Sequence, residues 1–182
     1  DEDREARKKV EALLKEVEDR VRESKKRTKD LLREIEKRLR DTTREIDELR
    51  RRIEDLSRRG EPKEDVLREL KKKLEELLRK DEKINRDLRR KLERLRREHE
   101  KILKRLEELL KELEDELREA GLPEEVLREL KELLDKIRET IERASKENEE
   151  LLREIEKRIE DANRENTERL RRIEKRIDDD AR

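Results

Sequence analysis

Cysteine, methionine, glutamine and all three aromatic residues are missing from this chain, and glycine and proline occur only twice each. Without cysteine there is no disulfide framework and no thiol nucleophile or thiolate ligand. Branched aliphatic residues never run for more than two positions, whereas a membrane-spanning helix needs about 20 apolar residues in succession. No charged-then-apolar leader opens the sequence, so it reads as a soluble chain without a targeting signal, compatible with cytoplasmic expression. Charge of one sign is also lacking. The 57 basic residues are matched by 57 acidic ones, which argues against nucleic acid, whose binding needs clustered positive surface. A single histidine, His99, excludes a multi-histidine metal site within one chain.

What is present is charge and aliphatic carbon. Charged residues make up 63% of the chain, and the apolar part is 29 Leu, 11 Ile, 5 Val and 6 Ala. High charge without aromatics is compatible with disorder, but the dominance of strong helix formers favours long helices. Two breaks punctuate them, Gly60-Glu61-Pro62 and Gly121-Leu122-Pro123. In each, glycine suits the left-handed residue just past a helix end, and proline suits the first turn of the next helix. Acidic residues follow both prolines, where the helix dipole favours them. The expectation is an all-α, single-domain, single-chain up-down-up antiparallel three-helix bundle over residues 1–182, with helices at about 2–58, 62–119 and 123–179, each on the order of 85 Å long. Turns this short make consecutive helices antiparallel.

The apolar spacing agrees. Helix 1 carries a stripe through Val10, Leu14, Val17, Val21, Leu31, Ile35, Leu39, Ile46, Leu49, Ile53 and Leu56, and comparable stripes run from Leu67 to Leu117 and from Leu127 through Leu151 to Ile177, in steps of three and four. A shift of 18 residues superimposes the pattern: Ile137 on Ile155 on Ile173, Leu70 on Leu88 on Leu106. Eighteen residues in five turns is the unstrained α-helical period, so nearly straight helices are expected in place of a heptad supercoil.

Polar residues interrupt these stripes at matched levels. With both turns taken as hairpins, residue i of helix 1 stands level with about 120−i in helix 2 and i+120 in helix 3. His99 then falls beside Ser24, Thr28, Ser145 and Asn148, with Ala144 leaving room. Asp81 falls beside Thr42, Asn85, Asn163 and Asn166, with Ala162 leaving room. The same 18-residue shift relates the two sets, which places two hydrogen-bonding layers about 27 Å apart at the helical rise. Asp81 is the odd member, expected at the boundary with a basic neighbour. An aliphatic seam does not by itself specify register, because leucine packs equally well one repeat along. A buried Asn or His set against Leu leaves polar groups unpaired at about 1–3 kcal/mol each, so such layers penalise slipped or wrongly paired states.

Nothing here composes a catalytic centre. Asp81 is a full repeat from His99, no Ser-His-Asp order or oxyanion loop is present, and the many surface carboxylates are solvated and untuned. The expectation is no enzyme, no catalytic or metal residue and no cofactor. The rival is a helical assembly or binding module, either a homo-oligomer by helix exchange or a bundle that accepts a partner helix. Just under two aliphatics per heptad is what an internal seam consumes, leaving little for an outer apolar patch. A monomer that needs no partner is therefore expected, with self-association as the alternative.

Equal helices, Gly-x-Pro turns, an 18-residue repeat, a Leu/Ile core, Glu/Lys/Arg surfaces and polar layers together resemble the class of de novo designed helical bundles built on parametric backbones with buried hydrogen-bond networks. The likeness covers the whole chain. It implies a heat-resistant scaffold without a natural substrate, in which the polar layers specify pairing and register.

Overall fold

The computed structural model describes residues 1–60 and 64–181. Three helices account for nearly all of them: α1 (Glu2–Arg58), α2 (Glu64–Glu119) and α3 (Glu124–Asp180). Each starts with acidic residues in its first turn, where unpaired backbone N–H groups and the helix dipole favour negative charge. Pro62, expected to open the second helix, lies outside the described residues. Gly60 and Gly121 both take positive φ, 71° and 62°, which lets the chain leave a helix without a Cβ clash. Leu122 of the second turn is buried and joins the aliphatic cluster that holds Leu117 and Val126, so this turn has a hydrophobic plug. A Cβ added at Gly121 meets no heavy atom within 4 Å. Gly121→Ala should therefore cost only the left-handed backbone strain, about 1–2 kcal/mol, read as a lower urea midpoint with unchanged slope.

Cross-helix bonds define the topology. Sequence separation between bonded α1 and α2 residues shrinks from 107 for Lys9–Glu116 through 75 for Ser24–His99 to 35 for Glu45–Lys80, as in an antiparallel hairpin. Between α1 and α3 it stays near constant, at 122 for Arg7–Glu129, 120 for Thr28–Asn148 and 123 for Ser57–Asp180, so those helices run parallel. The chain is a three-helix bundle.

Packing divides the chain into two compact units, Asp1–Asp30 with Glu93–Arg153 and Leu31–Leu92 with Glu154–Arg182. In the first, Val10, Val17, Leu106, Leu130 and Ile137 are sealed in one aliphatic cluster. In the second, Ile46, Leu70 and Leu170 anchor another. Each fully buried Leu or Ile contributes about 1.5–3 kcal/mol relative to exposure. Around the cores, ion pairs such as Arg7–Glu129 and Arg158–Glu36 are about half exposed and add little stability each.

The stripe departs from expectation where two apolar residues are adjacent. Leu13 is buried while Leu14 is only partly so, Val126 is buried while Leu127 is 37% exposed, and Leu152 is buried while Leu151 is intermediate. Neighbours sit about 100° apart around a helix, so both flank the stripe, and the position of the two partner helices selects the inner one.

Candidate functional site

Each unit holds one cluster of buried polar side chains. In the first unit, α1 supplies Ser24 and Thr28, one turn apart on the face that carries Val17 and Val21. α2 supplies His99 and α3 supplies Asn148. All four are buried. Ser24 Oγ lies 3.3 Å from His99 Nδ1. The Thr28 hydroxyl has two acceptors in reach, the Ser24 carbonyl of its own helix at 3.0 Å and Asn148 Oδ1 at 2.9 Å. Two of the three helix pairs are thus joined directly, α1 to α2 and α1 to α3. Ser145, expected in this group, is half-buried. Ala144 is buried beside the cluster. Burial holds the His99 pKa below its ordinary 6.5, with the carboxylates of Glu149 and Glu100 pulling weakly the other way. An imidazole with aliphatic surroundings is kept neutral because its charged form has lost solvent.

The second unit is built from Thr42 on α1, Asp81 on α2 and Asn166 on α3, all buried. Asn166 Nδ2 donates to Asp81 Oδ1 at 3.3 Å, joining α3 to α2. Here two expectations need correction. Asp81 is only 7% exposed, and its partner is the Asn166 amide in place of a basic residue at the boundary. The helix face around position 81 turns inward, so the long basic side chains nearby extend to solvent instead. Thr42 bonds within its own helix, its hydroxyl donating to the Arg38 carbonyl at 2.9 Å. Asn85 and Asn163 are half-buried, although Asn85 Oδ1 itself is sealed from solvent without a partner. Burial raises the Asp81 pKa above 3.8, partly offset by the Asn166 bond and reinforced by the nearby Glu82.

Among the cross-helix polar contacts that the sequence reading did not name, two lie in the second unit beside buried or half-buried positions. Ser57 Oγ donates to Asp180 Oδ2 at 3.1 Å, a pair that the 120-residue offset between α1 and α3 would have found. Arg38 donates to Asp87 across α1 and α2, which holds the Asp87 carboxyl below its ordinary range. No signal in the sequence singles out that pair among so many charges.

The two clusters contain a neutral imidazole, hydroxyls, amides and one reluctant carboxylate, and three bonds between helices link Ser24 to His99, Thr28 to Asn148 and Asn166 to Asp81. Such groups can orient helices and exchange protons at altered pH. Among the described residues, no group of three or more His, Cys, Asp or Glu side chains could hold a metal ion. No helix among them is long and apolar enough to cross a membrane.

No protein-family model and no curated protein matches the chain. Among solved structures it is similar to a protein described as a computationally designed three helix bundle, with 23% sequence identity, a TM-score of 0.57, and coverage of 98% of this chain and 93% of that one. That likeness establishes the fold as a three-helix bundle.

Proposed function

We infer that the chain is a designed structural scaffold with no natural biochemical activity, one domain and one subunit, in which the polar clusters decide which helices pair and at which register. The observation that carries this reading is the bonding of polar side chains from different helices inside otherwise aliphatic cores: Ser24 with His99, Thr28 with Asn148, and Asp81 with Asn166. Similarity to a designed bundle supports it. Buried bonds of this kind add little net stability, about 1 kcal/mol each, yet they impose a large penalty on any arrangement that separates the partners. Catalysis is disfavoured by the same geometry. Ser24 bonds His99, but no third side chain orients the ring, since His99 Nε2 has no partner within the protein, both residues are buried, and Asp81 is bonded to an amide in the other unit.

Light scattering coupled to gel filtration tests the reading. A single species at 22.6 kDa with one cooperative urea transition is expected, and the far-ultraviolet dichroism should persist on heating. A species at about twice that mass, independent of concentration, replaces the monomeric scaffold with an assembly component formed by helix exchange.

A further inference from the structure

We propose that the first unit contains a built site for one small hydrogen-bond acceptor, a single water, seated between His99 and Asn148. A cavity of about 30 Å³ lies there, lined by Ser24, His99, Ala144 and Asn148, with apolar side chains and the Lys25–Glu147 pair completing the wall. One water needs about 10–15 Å³ measured this way, so the volume admits one such molecule with room to spare but nothing much larger than two or three waters. Ala144 creates the space, since any larger residue at that position would fill it.

The wall chemistry says what the occupant must do. His99 Nε2 and Asn148 Nδ2 are both sealed from solvent and have no hydrogen-bond partner within the protein, although each side chain is only 5% exposed. An orphaned buried N–H is rare in folded proteins because its desolvation is not repaid. Asn148 Nδ2 can only donate. The Ser24 hydroxyl and His99 Nδ1 share a bond at 3.3 Å in which either can donate. Where the hydroxyl donates, Nε2 carries the imidazole proton and is a second donor, and where Nδ1 donates, Nε2 is an acceptor. A water meets both cases, since its oxygen accepts from Asn148 Nδ2 and the same molecule can accept from or donate to His99 Nε2. A halide ion shares this accepting chemistry, but the Lys25 ammonium at the wall is already paired with Glu147, and no unpaired cation among the described lining residues is there to hold an anion. Glu147 lines the cavity on the exposed side, where it pairs with Lys25 at 3.5 Å, and the carboxylates of Glu149 and Glu100 act on the imidazole. A neutral acceptor suits this field better than an anion. The site is independent of whether the polar clusters govern register.

Nuclear magnetic resonance on the ¹⁵N-labelled full chain tests it. Rotating-frame cross-peaks from water to the Asn148 side-chain amide and to the His99 ring protons, with the sign of a long-lived bound molecule, are expected. They should vanish in Ala144→Leu, which fills the space. Should that variant lose its helical dichroism, the milder Ala144→Val makes the same test. A parallel bromide titration identifies the source of the acceptor. Unmoved His99 and Asn148 resonances assign the site to water, while a saturable shift keeps the acceptor site and assigns it to an anion. Cross-peaks that persist in the folded filled variants, or the absence of both cross-peaks and bromide response in the parent, overturn the proposal.

Discussion

Replacing Ser24, Thr28, His99 and Asn148 together with aliphatics of fitting volume should raise stability by about 1–5 kcal/mol while destroying the uniqueness of the fold. Each converted position gains about 1–2 kcal/mol of apolar burial. Against this stand the bonds that Ser24 makes with His99 and that Thr28 makes with Asn148 and the Ser24 carbonyl, at about 1 kcal/mol each. Their partners disappear with them, so nothing new is left unsatisfied. What is lost is the penalty on misalignment. With these positions aliphatic, the first unit no longer opposes an 18-residue slip or an exchange between chains, and only the buried Thr42, Asp81 and Asn166 of the second still do. Denaturant titration should give a higher midpoint, and light scattering should show dimers and higher species growing with concentration at unchanged helicity. A strictly monomeric variant that loses several kcal/mol would show that the cluster serves stability, and the register proposal would fail.

Single substitutions should behave in the opposite sense, and the structure identifies which is most damaging. Asn148→Leu removes one acceptor of the Thr28 hydroxyl, but the Ser24 carbonyl still receives its proton, so the loss is soft. Ser24→Ala leaves His99 Nδ1 with no partner in a buried site, at a cost of about 1–3 kcal/mol.

Opposite responses to acid are expected from the two clusters. His99 has its folded pKa below the unfolded value of 6.5. Its neutral form is therefore free of penalty above that pH, and stability falls as pH drops through 6.5 towards the folded value, because the unfolded chain then binds more protons. Asp81 has its folded pKa above the unfolded value of 3.8. Its contribution is fully present below 3.8 and is lost as pH rises through the folded pKa, so at neutral pH the buried carboxylate is a cost. Asp81→Asn should remove that cost, raising stability at pH 7 by on the order of 1 kcal/mol. The new amide accepts from Asn166 as before and has a donor of its own in the region of the orphaned Asn85 Oδ1. Urea titrations at pH 7.5, 5.5 and 3.5 check both. Relative to the parent, Asp81→Asn should show its advantage at pH 7.5 and lose it at pH 3.5. His99→Leu should lose less stability than the parent between pH 7.5 and 5.5. Parallel curves for all three proteins would place both side chains in contact with solvent and sink the prediction.

The number of helices, their ends and their directions were legible in the sequence because they rest on local backbone chemistry. Gly60 and Gly121 supply the left-handed residue that ends a helix, Pro123 and the acidic residues after it suit the next first turn, and turns this short leave no other direction for the chain. The levels at which polar residues meet were legible too, because rise per residue is constant. The offset of 120 that pairs Thr28 with Asn148 follows from the spacing of the two turns. Tertiary structure alone decided which side chain of each adjacent pair faces inward, as with Leu13 over Leu14 and Val126 over Leu127, since helical periodicity fixes an angle only relative to partners whose positions it does not contain. It also decided who bonds to whom. Sequence arithmetic locates a residue to within a turn, about 5.4 Å, while a hydrogen bond requires heavy atoms within about 3 Å and a narrow range of angles. That gap in precision is why the sequence did not show Asp81 meeting Asn166, Thr42 turning back to its own helix, or His99 and Asn148 lining a cavity with a nitrogen of each unpartnered.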